Sequence, residues 1–212
     1  MNQTQQICQR VIDTAIALAD QGFLAGTGGN LALRIDAKTF AITPSASDYY
    51  TMTRDEISVL KLADLSQLAG SKPASVEKGL HAKVLLAFPD CQASIHTHQP
   101  IASAFTLLNQ ALTIRDDNHR TILGNQVPIA GYAPSGTSWL TNNVARLLRA
   151  DIHACLMRNH GVICWGKTVE EACQVVTTLE QAAREWFQDI LHTQTRRNNP
   201  ALIDQIQQAL AG

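Results

Sequence analysis

Short apolar runs of strand character alternate along this chain with segments of helical period, and that interleaving admits few folds. Ile7, Cys8, Val11, Ile12, Ala15, Ile16 and Ala19 recur at three- and four-residue spacing and predict an amphipathic helix over residues 5–20. Gly22, Gly26, Gly28 and Gly29 break it, and residues 31–35 and 40–43 flank the turn-like Asp36-Ala37-Lys38 as a hairpin. Thr53-Arg54-Asp55-Glu56 has capping-box spacing and predicts a short helical turn, with a strand over 58–62 and a loop over 67–73. Val76, Leu80, Lys83, Val84, Ala87 and Phe88 fit a helix capped by Ser75. Residues 93–98 read as a buried strand, and Pro100 suits the first turn of a helix to about Leu108. Residues 110–136 show no sustained period, and a helix is expected over 138–148. Strands over 154–157 and 161–165 bracket Arg158-Asn159-His160, and Thr168-Val169-Glu170-Glu171 opens a helix to roughly His192 whose stripe includes Val175, Val176, Leu179 and Ala183. Residues 193–200 separate off a short terminal helix. The pattern predicts a single α/β domain with a mixed sheet.

Composition removes several classes of function. Seventeen basic against eighteen acidic residues leave a formal charge of −1, so no bulk field recruits nucleic acid or an anionic membrane. The apolar runs fall far short of the roughly 20 residues of a membrane span, and the first six residues lack the basic and apolar blocks of a secretory signal. Five cysteines without a Cys-x-x-Cys pair argue against a disulfide framework and a thiolate zinc site, so a cytoplasmic protein is expected.

The histidines carry the chemistry. His96 and His98 lie two apart on a strand, so both rings project from one face, as two ligands of one metal ion require; an isolated pair of this kind serves equally well as hydrogen-bonded histidines. His160, before Gly161 in the break between two strands, is the candidate third ligand. Glu77, near a helix N-terminus, either ligates a metal, takes a proton, or simply complements the helix dipole. His81, His119, His153 and His192 read as helix or surface residues without a role. Together the three imidazoles and one carboxylate make a site for zinc or a comparable divalent transition metal, with one position open to substrate.

Ala74-Ser75-Val76-Glu77, Ile95-His96-Thr97-His98 and the run from Met157 to Gly166 resemble the signatures of the class II aldolase/adducin family, and Gly28-Gly29-Asn30 and Ile42-Thr43-Pro44-Ser45 extend the likeness over about residues 5–192. The resemblance implies a three-layer α/β/α sandwich around a mixed, largely antiparallel sheet, followed here by a short helical tail. It also implies one Zn2+, or another divalent transition metal, per chain on His96, His98 and His160, with Glu77 as catalytic acid/base. Asn30, Ser45 and Ser75 match positions that bind a substrate phosphate. The implied activity is that of an aldehyde-lyase, cleaving a small sugar or sugar phosphate by retro-aldol chemistry through a metal-stabilised enediolate. The family also holds epimerases, decarboxylases, dehydratases and the non-enzymatic adducin. The implied partners are a carbohydrate substrate and further copies of the chain in a homotetramer, with no nucleic acid or membrane.

The chain departs from the family pattern in places. Ala46 stands where glycine is usual and Val76 where a second serine is usual, which removes phosphate donors. The aldolases' proton-donating tyrosine, supplied by a neighbouring subunit, aligns with Asp117, so Asp117 or His119 is the candidate substitute. Ala46-Ser47-Asp48-Tyr49 lacks the lysine usual in the dehydratases, so cleavage is the expected reaction.

Overall fold

The computed structural model describes residues 2–24, 26, 28–194 and 207–208. Helix α1 (Gln3–Asp20) leads into strands β1 (Asn30–Arg34), β2 (Thr39–Ile42), β3 (Ser58–Lys61) and β4 (Gln67–Ala69). Helix α2 (Lys78–Ala87), strand β5 (Ala93–Thr97) and helix α3 (Pro100–Phe105) follow. The chain continues through β6 (Leu112–Thr113), α4 (Asp117–Leu123), β7 (Gln126–Val127), β8 (Ile129–Ala130) and α5 (Ser138–Ala145), and ends in β9 (Ala154–Met157), β10 (Gly161–Gly166) and α6 (Val169–Gln194).

Eight strands form one sheet in the order β4-β3-β2-β1-β5-β10-β9-β8. Every neighbouring pair is antiparallel except β8 with β9. Because side chains alternate across a strand, the sheet feeds two cores. Leu31, Leu33, Ile95, Val162 and Cys164 join α1, α3, α4 and α6 on one face. Ala32, Phe40, Ile42, Ile163 and Trp165 meet α2 and α5 on the other. The result is the expected three-layer sandwich, with the central strands β1, β5 and β10 buried along their length.

Some elements differ from their sequence reading. Residues 67–69 form an edge strand instead of a loop; all three are exposed and pair only through backbone, so they carry no apolar alternation. Helix α2 begins at Lys78, after a turn in which the Lys78 N–H donates to the Ser75 carbonyl, and Glu77 instead of Ser75 occupies the cap position. Val76 is consequently 62% exposed instead of packed on a helix face. The expected helices over 100–108 and 138–148 are shorter, the first ending in a 3-10 turn over Thr106–Leu108. Of the expected terminal helix, most lies outside the described residues. Among the described residues no helix is long and apolar enough to cross a membrane.

Candidate metal centre

The middle of the sheet sets the geometry. Asn30 on β1 lies opposite His96 on β5, which lies opposite Ile163 on β10. The His96 ring is fully buried, with Nδ1 2.8 Å from the Val162 carbonyl. A carbonyl can only accept, so Nδ1 carries the hydrogen and Nε2 presents its lone pair, the arrangement that fixes a metal-binding tautomer. His98 follows the last residue of β5, and its Nε2 comes to 3.0 Å from that of His96.

His160 arrives from the turn between β9 and β10. Asn159 takes the left-handed conformation there (φ +53°), and the His160 N–H donates to the Met157 carbonyl at 3.1 Å. The approach depends on Gly161: a Cβ at that position would lie 2.5 Å from the Thr97 carbonyl oxygen and 2.7 Å from the His98 ring. Ligand atoms of His96, His98 and His160 all lie within 4.8 Å of one another.

Glu77 closes the fourth side. Its carboxylate, 5% exposed at residue level, makes no capping bond and points inward, Oε2 3.2 Å from His96 Nε2 and Oε1 3.3 Å from His160 Nε2. Two ligands held about 2.0–2.1 Å from a tetrahedral centre are themselves roughly 3.4 Å apart, so these spacings suit a small divalent ion. Asn30 Nδ2 donates to Oε2 at 2.8 Å, and the Ser135 hydroxyl donates to Oε1 at 2.9 Å. Burial pushes the Glu77 carboxyl up, but His96, Asn30, His160 and Ser135 outweigh it and bring it down to about 2. Burial lowers His96 to about 4 and lowers His98 as well, so at neutral pH both rings have free lone pairs.

The remaining sequence candidates divide. A bridge between Pro44 and Ala74 lays the Ser45 and Ser75 segments side by side, with Ser45 N–H donating to the Pro73 carbonyl and Ser75 N–H to the Thr43 carbonyl. The Ser75 hydroxyl oxygen accepts from the Glu77 N–H at 3.3 Å, which leaves its own hydrogen free to donate. Beside Ser45, Ala46 is held at φ +49°, a conformation that favours glycine. Asp117 and His119 stand apart on α4, where Asp117 pairs with Arg120 and His119 Nδ1 lies 3.4 Å from Glu185 on α6. Within one chain neither joins the three histidines.

Sequence reasoning passed over His81, Ser94, Ser135 and Tyr49. His81 is fully buried, one helical turn after Glu77, with Nδ1 2.9 Å from Ser94 Oγ and Nε2 2.5 Å from Asn30 Oδ1. Its four-residue spacing from Glu77 was the available signal. The Tyr49 hydroxyl, pushed up to about 12 by burial, donates to the Gly29 carbonyl at 2.7 Å and steadies the loop before Asn30.

Comparison with known proteins gives a consistent result. The Class II Aldolase and Adducin N-terminal domain matches residues 9–187. An L-fuculose phosphate aldolase of Methanococcus maripaludis is 28% identical, over 79% of this chain and 88% of its own. A methylthioribulose-1-phosphate dehydratase of Yersinia enterocolitica is also 28% identical, over 77% of this chain and 82% of its own. The solved structure of an L-fuculose 1-phosphate aldolase superposes with a TM-score of 0.80 at 25% identity, covering 92% of this chain and 89% of that one.

Proposed function

The chain belongs to the class II aldolase and adducin family, and on that premise we propose that it is a divalent-metal lyase that cleaves a small ketose or ketose phosphate by retro-aldol chemistry. The observation that supports this most is the convergence of three imidazoles with the Glu77 carboxylate at the end of buried strands. A scaffold protein has no use for such a cluster, since gathering these groups without a ligand costs desolvation. His96, His98 and His160 would hold the ion, zinc by the character of the donors, and a bound ion of this kind supplies Lewis-acid polarisation of a substrate carbonyl.

The protein's own groups do the rest. Glu77 shuttles a proton between solvent and the carbon released when the neighbouring carbon–carbon bond breaks. Its two oxygens are unequal. The Asn30 N–H at Oε2 can only donate, whereas the Ser135 hydroxyl at Oε1 can turn and accept, so Oε1 is the oxygen suited to take up the transferred proton. Ser45, Ser75 and the second amide hydrogen of Asn30 are the donors offered to a substrate phosphate, fewer than usual because Val76 replaces a hydroxyl. As the carbon–carbon bond breaks, the hydroxyl that becomes the leaving aldehyde gives its proton to Asp117 or His119 of a neighbouring copy in a tetramer. The five free cysteines suit a reducing compartment such as the cytoplasm. Dehydration of the same substrate class is the second reading, favoured by the Yersinia enterocolitica relative.

The test is a panel of ketoses and ketose phosphates offered to the zinc-loaded protein, with aldehyde, epimer, carbon dioxide and dehydration product all followed. Release of an aldehyde is expected, with kcat/KM favouring the phosphate ester by less than about a thousandfold, roughly 4 kcal/mol. Water loss without aldehyde would replace the first reading with the second.

A further inference from the structure

Behind Glu77 lies a hydrogen-bonded chain whose direction is fixed by chemistry alone. A carboxylate accepts and does not donate, so the Asn30 atom 2.8 Å from Glu77 Oε2 is the amide nitrogen, and the amide oxygen faces His81. That oxygen in turn can only accept, so His81 Nε2, 2.5 Å away, carries a hydrogen. Two states remain for the ring. Either it is neutral with Ser94 donating to Nδ1, or it is an imidazolium with Ser94 accepting. His81 is fully buried, and burial lowers it to about 3, which removes the imidazolium at neutral pH.

We propose that His81, held by Ser94 as the neutral Nε2–H tautomer, is a positioning residue that locks the Asn30 amide and, through it, the orientation of the Glu77 carboxylate. The geometry explains why a polar ring is kept in the layer between sheet and α2. An Asn30 amide without its His81 partner has a buried oxygen unpaired and is free to turn, which would set two acceptors against each other at Glu77. Elements from three parts of the chain meet here: β1 brings Asn30, α2 brings Glu77 and His81, and β5 brings Ser94 and His96. A small rotation of α2 against the sheet is therefore resisted where the reacting carboxylate sits. The kinetic consequence rests on the reading of Glu77 as acid/base, whereas the tautomer does not.

The test pairs nitrogen NMR of the imidazole rings with kinetics of His81→Gln and His81→Leu. The resonances that vanish in His81→Gln identify the ring in the parent protein, and they are expected to report a neutral Nε2–H tautomer between pH 6 and pH 8. A neutral Nδ1–H tautomer or an imidazolium in that range would overturn the proposal. A glutamine amide can still donate to Asn30 and leucine cannot. His81→Leu is accordingly expected to lower kcat about 10- to 100-fold with KM and bound metal unchanged, while His81→Gln keeps most of kcat. Equal losses in the two variants, or undiminished kcat in His81→Leu, would contradict it. If the parent protein turns over no ketose, the proposed function fails while the NMR result still decides the tautomer.

Discussion

The site works as a set of single residues whose environments differ sharply. His96 is buried and neutral, with Nδ1 tied to a backbone carbonyl, so Nε2, the nitrogen proposed to bind metal, is preset with its lone pair free. Glu77 is held charged by the groups around it, and it must accept and return a proton for the proposed reaction to run. Glu77→Gln keeps the shape and loses that capacity, so kcat should fall by about a hundredfold or more while the metal and the fold are kept. Activity assays beside elemental analysis check this, and a variant as active as the parent would reduce Glu77 to a helix-terminus residue. The convergence of His96, His98, His160 and Glu77 was readable in the sequence because their spacing has geometric meaning on a strand, at a turn and at a helix start. His81 and Ser135 were not: a single polar residue shows no period, and its importance comes only from what the fold sets beside it.

Elements carry these residues to the centre through their ends, and helix and strand ends are where the sequence was least readable. Short-range periodicity located α1, β5, β9, β10 and α6, all of which bury continuous or striped apolar surface. It missed β4, whose exposed residues pair through backbone alone, and it set the start of α2 two residues early because Ser75 resembles a cap. The junction of β5 with α3 is held from outside the segment. Glu180 on α6 accepts from the Ile101 and Ala102 N–H groups at 2.8 and 2.9 Å, supplying the first turn of α3 with a carboxylate that its own sequence lacks. Glu180→Leu should therefore destabilise the protein by roughly 2–4 kcal/mol, read from chemical denaturation, and weaken metal binding through the displacement of nearby His98. A loss below about 0.5 kcal/mol would show that α3 stands without this clamp.

At the scale of the whole molecule, the buried polar layer makes the metal-free protein sensitive to acid. His81 is lowered to about 3 and His96 to about 4, chiefly by burial, against a usual histidine value near 6.5. Between those limits the unfolded chain binds protons that the folded one refuses, so their contribution is complete above about pH 6.5 and is lost as pH falls toward 3. Glu77, lowered to about 2, adds a loss of the same sign below about pH 4.5. Denaturation midpoints of metal-free protein should fall from pH 6.5 to pH 4, with a slope of up to roughly 1.4 kcal/mol per pH unit for each histidine. A flat profile would mean that these rings gain protons without unfolding. A bound ion should oppose the loss, since a ligand of the folded state alone stabilises it in proportion to the logarithm of its concentration over Kd. The most direct test of the account is X-ray absorption at the zinc edge on dialysed, zinc-reconstituted protein. About one zinc per chain is expected, with three nitrogen ligands at roughly 2.0–2.1 Å and oxygen completing the shell. Zinc lost on dialysis, or a shell containing sulfur at roughly 2.3 Å, would contradict the assignment of His96, His98 and His160 as its ligands.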